Sequence, residues 1–266
     1  MEAPTQPAQT LRVSSRAWYD ASLTEFIQSQ PDAIVGRLAT NSDFAMLPTQ
    51  RDAWLAQIGL LQSSLTGLTG WLFFEFNIPR MGRRVDAVLV IGSIVFVIEF
   101  KVGENVFERA AVDQAWDYAL DLKNFHEASH KVSIVPILIV TGATASVPLE
   151  LLVHEDKVYR PLRLHPAGFR DAVDMVLRSI TGEAINAQQW SSAPYHPTPT
   201  IVEAARALYA QHSVEAIARY DAGAKNLRVT SRRIEELVDE AKEKRQKLIC
   251  FVTGVPWAGK TLVGLN

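Results

Sequence analysis

The chain has 266 residues, 48% hydrophobic and 21% charged, which suffices for a sizeable core and excludes a disordered polyelectrolyte. A single cysteine, Cys250, excludes an intramolecular disulfide framework and a cysteine-rich zinc site, and points to a reducing compartment. The net charge of -2 gives no overall attraction for nucleic acid, so any such binding has to come from local basic patches.

The opening MEAPTQPAQT lacks a basic-then-apolar leader, and no apolar run approaches the roughly 18 residues of a membrane helix. A cytoplasmic protein with no membrane partner is expected. Residues 1–49 read as polar and mixed, with one helix over Leu23 to Ser29 that Pro31 ends. A helix from about Gln50 to Leu65 carries Trp54, Ile58, Leu61 and Leu65 on one face. Three strands are expected at Trp71 to Ile78, Arg84 to Ile91 and Ile94 to Lys101. A helix over about Phe107 to His130 and a strand over Val132 to Val140 follow, the strand apolar enough to be covered on both faces. After a helix at Ala167 to Ile180, the proline-rich stretch Thr181 to Thr200 reads as a linker. Helices are expected at Ile201 to Tyr220 and Ser231 to Lys247, then a short strand, Leu248 to Val252. Trp71, Phe73, Phe74 and Trp116 read as core rather than as base-stacking platforms.

The segment 84–101 carries the chemistry. Gly92-Ser93 between two β-branched runs reads as a type II′ hairpin turn, with glycine supplying the positive φ. That register sets Ile91 against Ile94, Leu89 against Phe96 and Ala87 against Ile98. On the other face it pairs Val88 with Val97, Asp86 with Glu99, and Arg84 with Lys101. Asp86 and Glu99 would then have Cβ atoms roughly 4.5–5.5 Å apart, a repulsive arrangement among valines and isoleucines. A hard divalent cation, Mg²⁺ or Mn²⁺, neutralises such a pair, and Lys101 on the same face could orient water or stabilise charge on a phosphate. The plainer alternative is a solvated strand end with Lys101 simply paired to Glu99. Arg80, Arg83 and Arg84 cluster beside the acids, either to position phosphates of a nucleic acid or as a solvated turn.

At the other end, Gly254-Val-Pro-Trp-Ala-Gly259-Lys260-Thr261 fits the phosphate-loop pattern G-x-x-x-x-G-K-[ST] directly after an expected strand. Gly254 and Gly259 would shape the loop for ATP, Lys260 would reach the phosphates and Thr261 would ligate Mg²⁺. Trp257 stands where such loops usually carry glycine. The chain ends at Asn266, so the ATP site is expected to be incomplete and without hydrolytic activity. His126-Glu-Ala-Ser-His130 matches H-E-x-x-H, but at the end of its helix it is set aside as a zinc site.

Gln114 and Tyr118 share a helix face four residues apart. The order Asp86, Glu99-Phe100-Lys101, Gln114-Ala-Trp-Asp-Tyr118 resembles the RecB-like branch of the PD-(D/E)XK nucleases, with Val85 where many members have proline. The resemblance implies an α/β fold: a restriction-endonuclease-like mixed sheet flanked by helices, over residues 50–182. It implies that Asp86, Glu99 and the Phe100 carbonyl hold the metal, Lys101 assists the attacking water, and Gln114 and Tyr118 help place nucleic acid. An upstream acid is often present in this family; Glu75 is the nearest carboxylate, with its facing open. With KLICFVTGVPWAGKTLVGLN, the chain is similar to bacterial fusions of such a nuclease with a Schlafen-like superfamily 1 helicase, some of which act in phage defence. On that resemblance 183–200 is the linker, 201–266 opens a P-loop helicase domain, and a C-terminal helicase portion is missing. Two alternatives stay open: a nucleic-acid-binding fragment of an ATP-dependent helicase with an inactive nuclease-like module, and a degenerate interaction module.

Overall fold

The computed structural model describes residues 16–42, 47–79, 82–195, 221–244 and 246–253. Among them, β1 (Tyr19–Ser22), β2 (Trp71–Ile78), β3 (Arg83–Ile91), β4 (Ile94–Lys101), β5 (Ser133–Val140) and β6 (Leu162–Leu164) form one open sheet. They lie side by side in chain order. The first four strands are antiparallel; β4, β5 and β6 are parallel, so the sheet is mixed and the protein α/β.

The hairpin register is the one the turn chemistry dictates. Ile91 faces Ile94, Leu89 faces Phe96 and Ala87 faces Ile98. Gly92 has φ +59° and Ser93 is not among the positive-φ residues, which matches a type II′ rather than a type I′ turn. β4 and β5 are buried along nearly their whole length because helices cover both faces. On one face Leu72, Phe74, Leu89, Phe96, Ile98 and Ile137 pack against α1 (Leu23–Gln28), α2 (Pro31–Asn41), α3 (Pro48–Ser64) and α5 (Phe169–Ser179). On the other face Phe73, Val88, Val95 and Val97 meet Tyr118 and Leu122 of α4 (Arg109–Phe125) and Trp190 of α6 (Ala187–Ser192). Phe73 and Phe74 are buried, and Trp71 and Trp116 pack partly buried against the second core, as expected of core aromatics.

Three segments depart from the sequence reading. Residues 16–42 do not stand apart: Tyr19 to Ser22 pair with β2, and α2 starts at Pro31, whose fixed φ suits a first helical position. The signal was the alternation of buried Ala17, Tyr19 and Ala21 with half-buried Trp18 and Asp20, too short to weigh as a strand. Thr181 to Thr200 is not an extended connection in its described part. Ile185 donates its N–H to Gly92 O, Asn186 caps α6, and Trp190 is buried beneath it. Leu248 to Val252 forms no strand; it is irregular, and Leu248, Ile249, Phe251 and Val252 are exposed. No described strand lies alongside, and an unpaired strand has no ladder for its amides and carbonyls. The helix expected over Ser231 to Lys247 belongs to α7 (Asp221–Glu243), while the one at Ile201 to Tyr220 lies outside the described residues.

α4 ends at Phe125, so the H-E-x-x-H residues fall on a cap and a single 3-10 turn, Glu127–Ser129. His126 is fully buried, with Nδ1 2.8 Å from Ser129 Oγ, which also accepts from Trp190 Nε1 at 3.0 Å. Burial, the nearby Arg16 and His130 push its pKa down to about 3. The folded protein therefore holds His126 neutral while the unfolded chain takes up a proton below about pH 6.5. Because the unfolded state binds more protons in that window, stability falls as pH drops from about 6.5 toward 3, by about 1 kcal/mol per unit. Urea melts at pH 7, 6, 5 and 4 should show a shallower acid decline for His126→Gln than for the wild type. Equal slopes would refute the assignment.

Candidate active site

Three adjacent strands bring three carboxylates to one level of the sheet. β2 and β3 pair Phe74 with Ala87 and Phe76 with Val85, which sets Glu75 opposite Asp86. The β3–β4 ladder runs to Ala87 and Ile98, so Asp86 and Glu99 are the next residues facing one another. There the ladder stops, because the Asp86 carboxylate takes the Phe100 N–H at 2.8 Å. The side chain replaces a backbone acceptor and fixes the Asp86 headgroup against β4.

Glu75 is the residue whose facing sequence reasoning left open. Its φ is +51°, a left-handed conformation uncommon outside glycine and rare in a strand. The consequence shows in the packing. Phe74 belongs to the first core, yet Phe76 and Ile78 join Phe73 in the second. Across the ladder, Ala87 faces the first core while Val85 and Val88 both face the second. The alternation thus changes phase at Glu75 and Asp86 together, with no residue inserted. The Glu75 carboxylate accepts from Trp54 Nε1 of α3 at 2.9 Å and from Arg84 Nε at 3.2 Å.

On the other side of the site, Glu99 is 4% exposed and its Oε1 accepts from Lys101 Nζ at 3.1 Å and Gln114 Nε2 at 2.8 Å. Lys101 Nζ also donates to Gln114 Oε1 at 3.2 Å, and Gln114 Nε2 lies 2.9 Å from Tyr118 Oη. The Gln114–Tyr118 spacing on α4 therefore does place both side chains over the Glu99–Lys101 end of β4. Glu99 Oε2 is buried with no hydrogen-bond partner. An unpaired buried carboxylate oxygen is costly unless something positive completes it.

The electrostatics agree. Burial, then the Glu99 charge, holds Asp86 well above the usual carboxylate range, against the pull of the Phe100 N–H. Burial raises Glu99 as well, opposed by Lys101 and pushed further by Glu75. Among the described residues no group of three or more His, Cys, Asp or Glu side chains is already drawn together as a metal-ligand cage. What is present is two buried carboxylates whose charges oppose one another, one Glu99 oxygen without a hydrogen-bond partner, and a third acid in electrostatic reach.

The arginines separate. Arg84 has no ladder partner on β4; on its other side it pairs with Asn77 of β2, and its guanidinium turns to Glu75 and stacks over Trp18 at 3.9 Å. The β3–β4 ladder ends at Ala87 and Ile98, so the expected Arg84–Lys101 pair is not a ladder pair, and the two side chains go to different acids, Arg84 to Glu75 and Lys101 to Glu99. Arg83 is exposed, within electrostatic reach of Glu99. Arg80 lies outside the described residues, as do Gly254, Trp257, Gly259, Lys260 and Thr261 of the phosphate-loop pattern. Comparison with known proteins returns no family model, no curated protein and no solved structure that matches the chain.

Proposed function

We propose that the chain is a metal-dependent nuclease that hydrolyses phosphodiesters in DNA or RNA, on a sheet of the restriction-endonuclease type. The observation that carries this reading is the open Glu99 Oε2 beside Asp86, in a cluster whose acids repel one another. That donor set suits a hard cation such as Mg²⁺ or Mn²⁺, with Asp86 and Glu99 as its protein ligands. When bound, the ion would supply Lewis acidity and a more acidic water.

The chain's own groups have separable tasks. Lys101 spends two of its three ammonium hydrogens on Glu99 and Gln114, leaving one for an attacking water or a phosphate oxygen. Gln114 ties Lys101, Glu99 and Tyr118 together, so the ammonium is held in place before substrate arrives. Arg83 and Arg84 flank the acids and suit phosphate positioning. ATP binding by Gly254 to Thr261, a helicase portion and a cytoplasmic role in phage defence remain proposals on the sequence resemblance alone. No helix among the described residues is long and apolar enough to cross a membrane.

The deciding assay incubates purified chain with single- and double-stranded DNA and RNA in Mg²⁺, Mn²⁺ or EDTA. Cleavage with metal that vanishes in EDTA and in Asp86→Ala supports the nuclease; binding without cleavage in every metal favours a nucleic-acid-binding module. A second variant probes the ligand set. Glu99→Gln keeps an Oε1 acceptor for Lys101 and Gln114 but removes a buried like charge and a hard ligand. The metal-free variant is expected to melt at or above the wild-type temperature, while Mn²⁺ affinity by calorimetry drops at least about tenfold. Unchanged Mn²⁺ affinity would contradict the site.

A further inference from the structure

We infer that Arg84 and Glu75 form an exchangeable ion pair that couples the binding of a divalent cation to the binding of a phosphodiester. This rests on the nuclease reading above and concerns how that site is loaded.

The charges at this level of the sheet do not balance. Glu75, Asp86 and Glu99 contribute three carboxylates, against which stand Lys101 on Glu99 and Arg84 on Glu75. Arg83 adds a weaker, solvent-exposed contribution. With the carboxylates ionised, Lys101 leaves two negative charges uncompensated, the charge one divalent cation would neutralise. Arg84 then becomes surplus and needs a new anion.

Its geometry fits that hand-over. The guanidinium face rests on Trp18, and the bond to Glu75 is made through Nε. The arginine side chain is 31% exposed, so it is not sealed in the core, and its guanidinium lies between the Trp18 ring and the Glu75 carboxylate. A planar two-pronged donor held by stacking is suited to a phosphodiester oxygen pair. Glu75, for its part, is anchored by Trp54 Nε1 through one oxygen, which leaves the Arg84-bound oxygen as the one that can be reassigned. The left-handed backbone at Glu75 turns that carboxylate toward α3 and Arg84 while keeping it in electrostatic reach of Asp86 and Glu99. Such strained residues persist only where the surrounding structure over-determines them, here through Trp54 and Arg84 on the carboxylate. Cation and phosphodiester therefore each favour the state the other requires, and linkage makes that coupling reciprocal.

The test is calorimetric and needs no turnover. Mn²⁺ is titrated into the EDTA-stripped, dialysed full chain, alone and with a saturating phosphorothioate oligonucleotide, DNA and RNA in separate arms. The wild type should bind Mn²⁺ at least about fivefold tighter with oligonucleotide present. In Glu75→Gln and in Arg84→Gln, both checked by thermal melting, the ratio should fall to within about twofold of one, with Mn²⁺ still bound through Asp86 and Glu99. Wild-type-sized coupling in either folded variant overturns the inference, as does a wild-type ratio near one. Asp86→Asn separates this from the underlying site: if it binds Mn²⁺ like the wild type, the nuclease reading fails. If it loses Mn²⁺ while Glu75→Gln keeps full coupling, only the exchangeable pair fails.

Discussion

Asp86→Asn should abolish metal-dependent cleavage and at the same time make the metal-free protein more stable at neutral pH. The loss of activity follows from removing a hard anionic ligand; a bound divalent ion is worth several kcal/mol of charge stabilisation, so a drop of at least about a hundredfold is expected. The gain in stability follows from the raised pKa. Asp86 is ionised more readily in the unfolded chain than buried beside Glu99, so the folded state binds more protons between the ordinary carboxylate range and the raised value. Across that window wild-type stability falls as pH rises. An asparagine can still accept the Phe100 N–H through Oδ1, so the anchor to β4 survives while the buried charge is gone. The advantage of the variant should shrink on acidification as the wild-type carboxyl takes up its proton. Denaturant melts of EDTA-treated wild type and variant at pH 5 and pH 8, alongside a cleavage assay, test both halves. A variant that is inactive but also markedly less stable at pH 8 would mean Asp86 is structural.

Trp190→Ala is the second large effect, expected at about 3–5 kcal/mol of lost stability. The indole stacks on Phe76 with ring centroids 5.4 Å apart, lies 5.8 Å from Phe73 and meets His126 edge-on at 4.8 Å. Its Nε1–H goes to Ser129 Oγ, which is also the partner of His126. Truncation would open a cavity and strand a hydroxyl that serves two aromatic rings. Urea unfolding measures the change; a loss under about 1 kcal/mol would show that α6 contributes little to the core.

The contrast between Trp190 and the hairpin explains what could be read without coordinates. Gly92-Ser93 sets a local register that holds from Ile91–Ile94 to Ala87–Ile98, and Asp86 and Glu99 are the next residues along it. Gln114 and Tyr118 are legible for the same reason, since four residues return a helix to one face. Trp190 is not: its partners Phe73, Phe76 and Ser129 lie far away in the chain, and six helical residues amid prolines look like a connector. Glu75 is hidden differently. Strict alternation assigns Phe74, Phe76 and Ile78 to one side, and only a left-handed backbone at a non-glycine residue breaks that rule. Nothing about a glutamate between two phenylalanines announces such a conformation; the strand's partners impose it. The fate of Arg84 was lost with it, because its counter-ion sits on the neighbouring strand rather than across the hairpin.

The two outermost strands carry a consequence for how the molecule behaves at high concentration. β1 has four residues and β6 three, against eight or nine for the strands between them. Among the described residues β6 is a short template with few unpaired amides to offer another chain, while the β1 margin continues back to Arg16 through its bonds with β2. β1 turns at once into α1, where Ser22 caps the helix through Glu25 N, and so cannot lengthen by recruiting residues that follow it. At the other margin Arg163 is the exposed centre of β6, and a charge there discourages a second sheet from docking edge to edge. Among the described residues, a long apolar sheet thus ends in a charged three-residue strand on one side and a strand that turns straight into a capped helix on the other, features that oppose edge-to-edge growth.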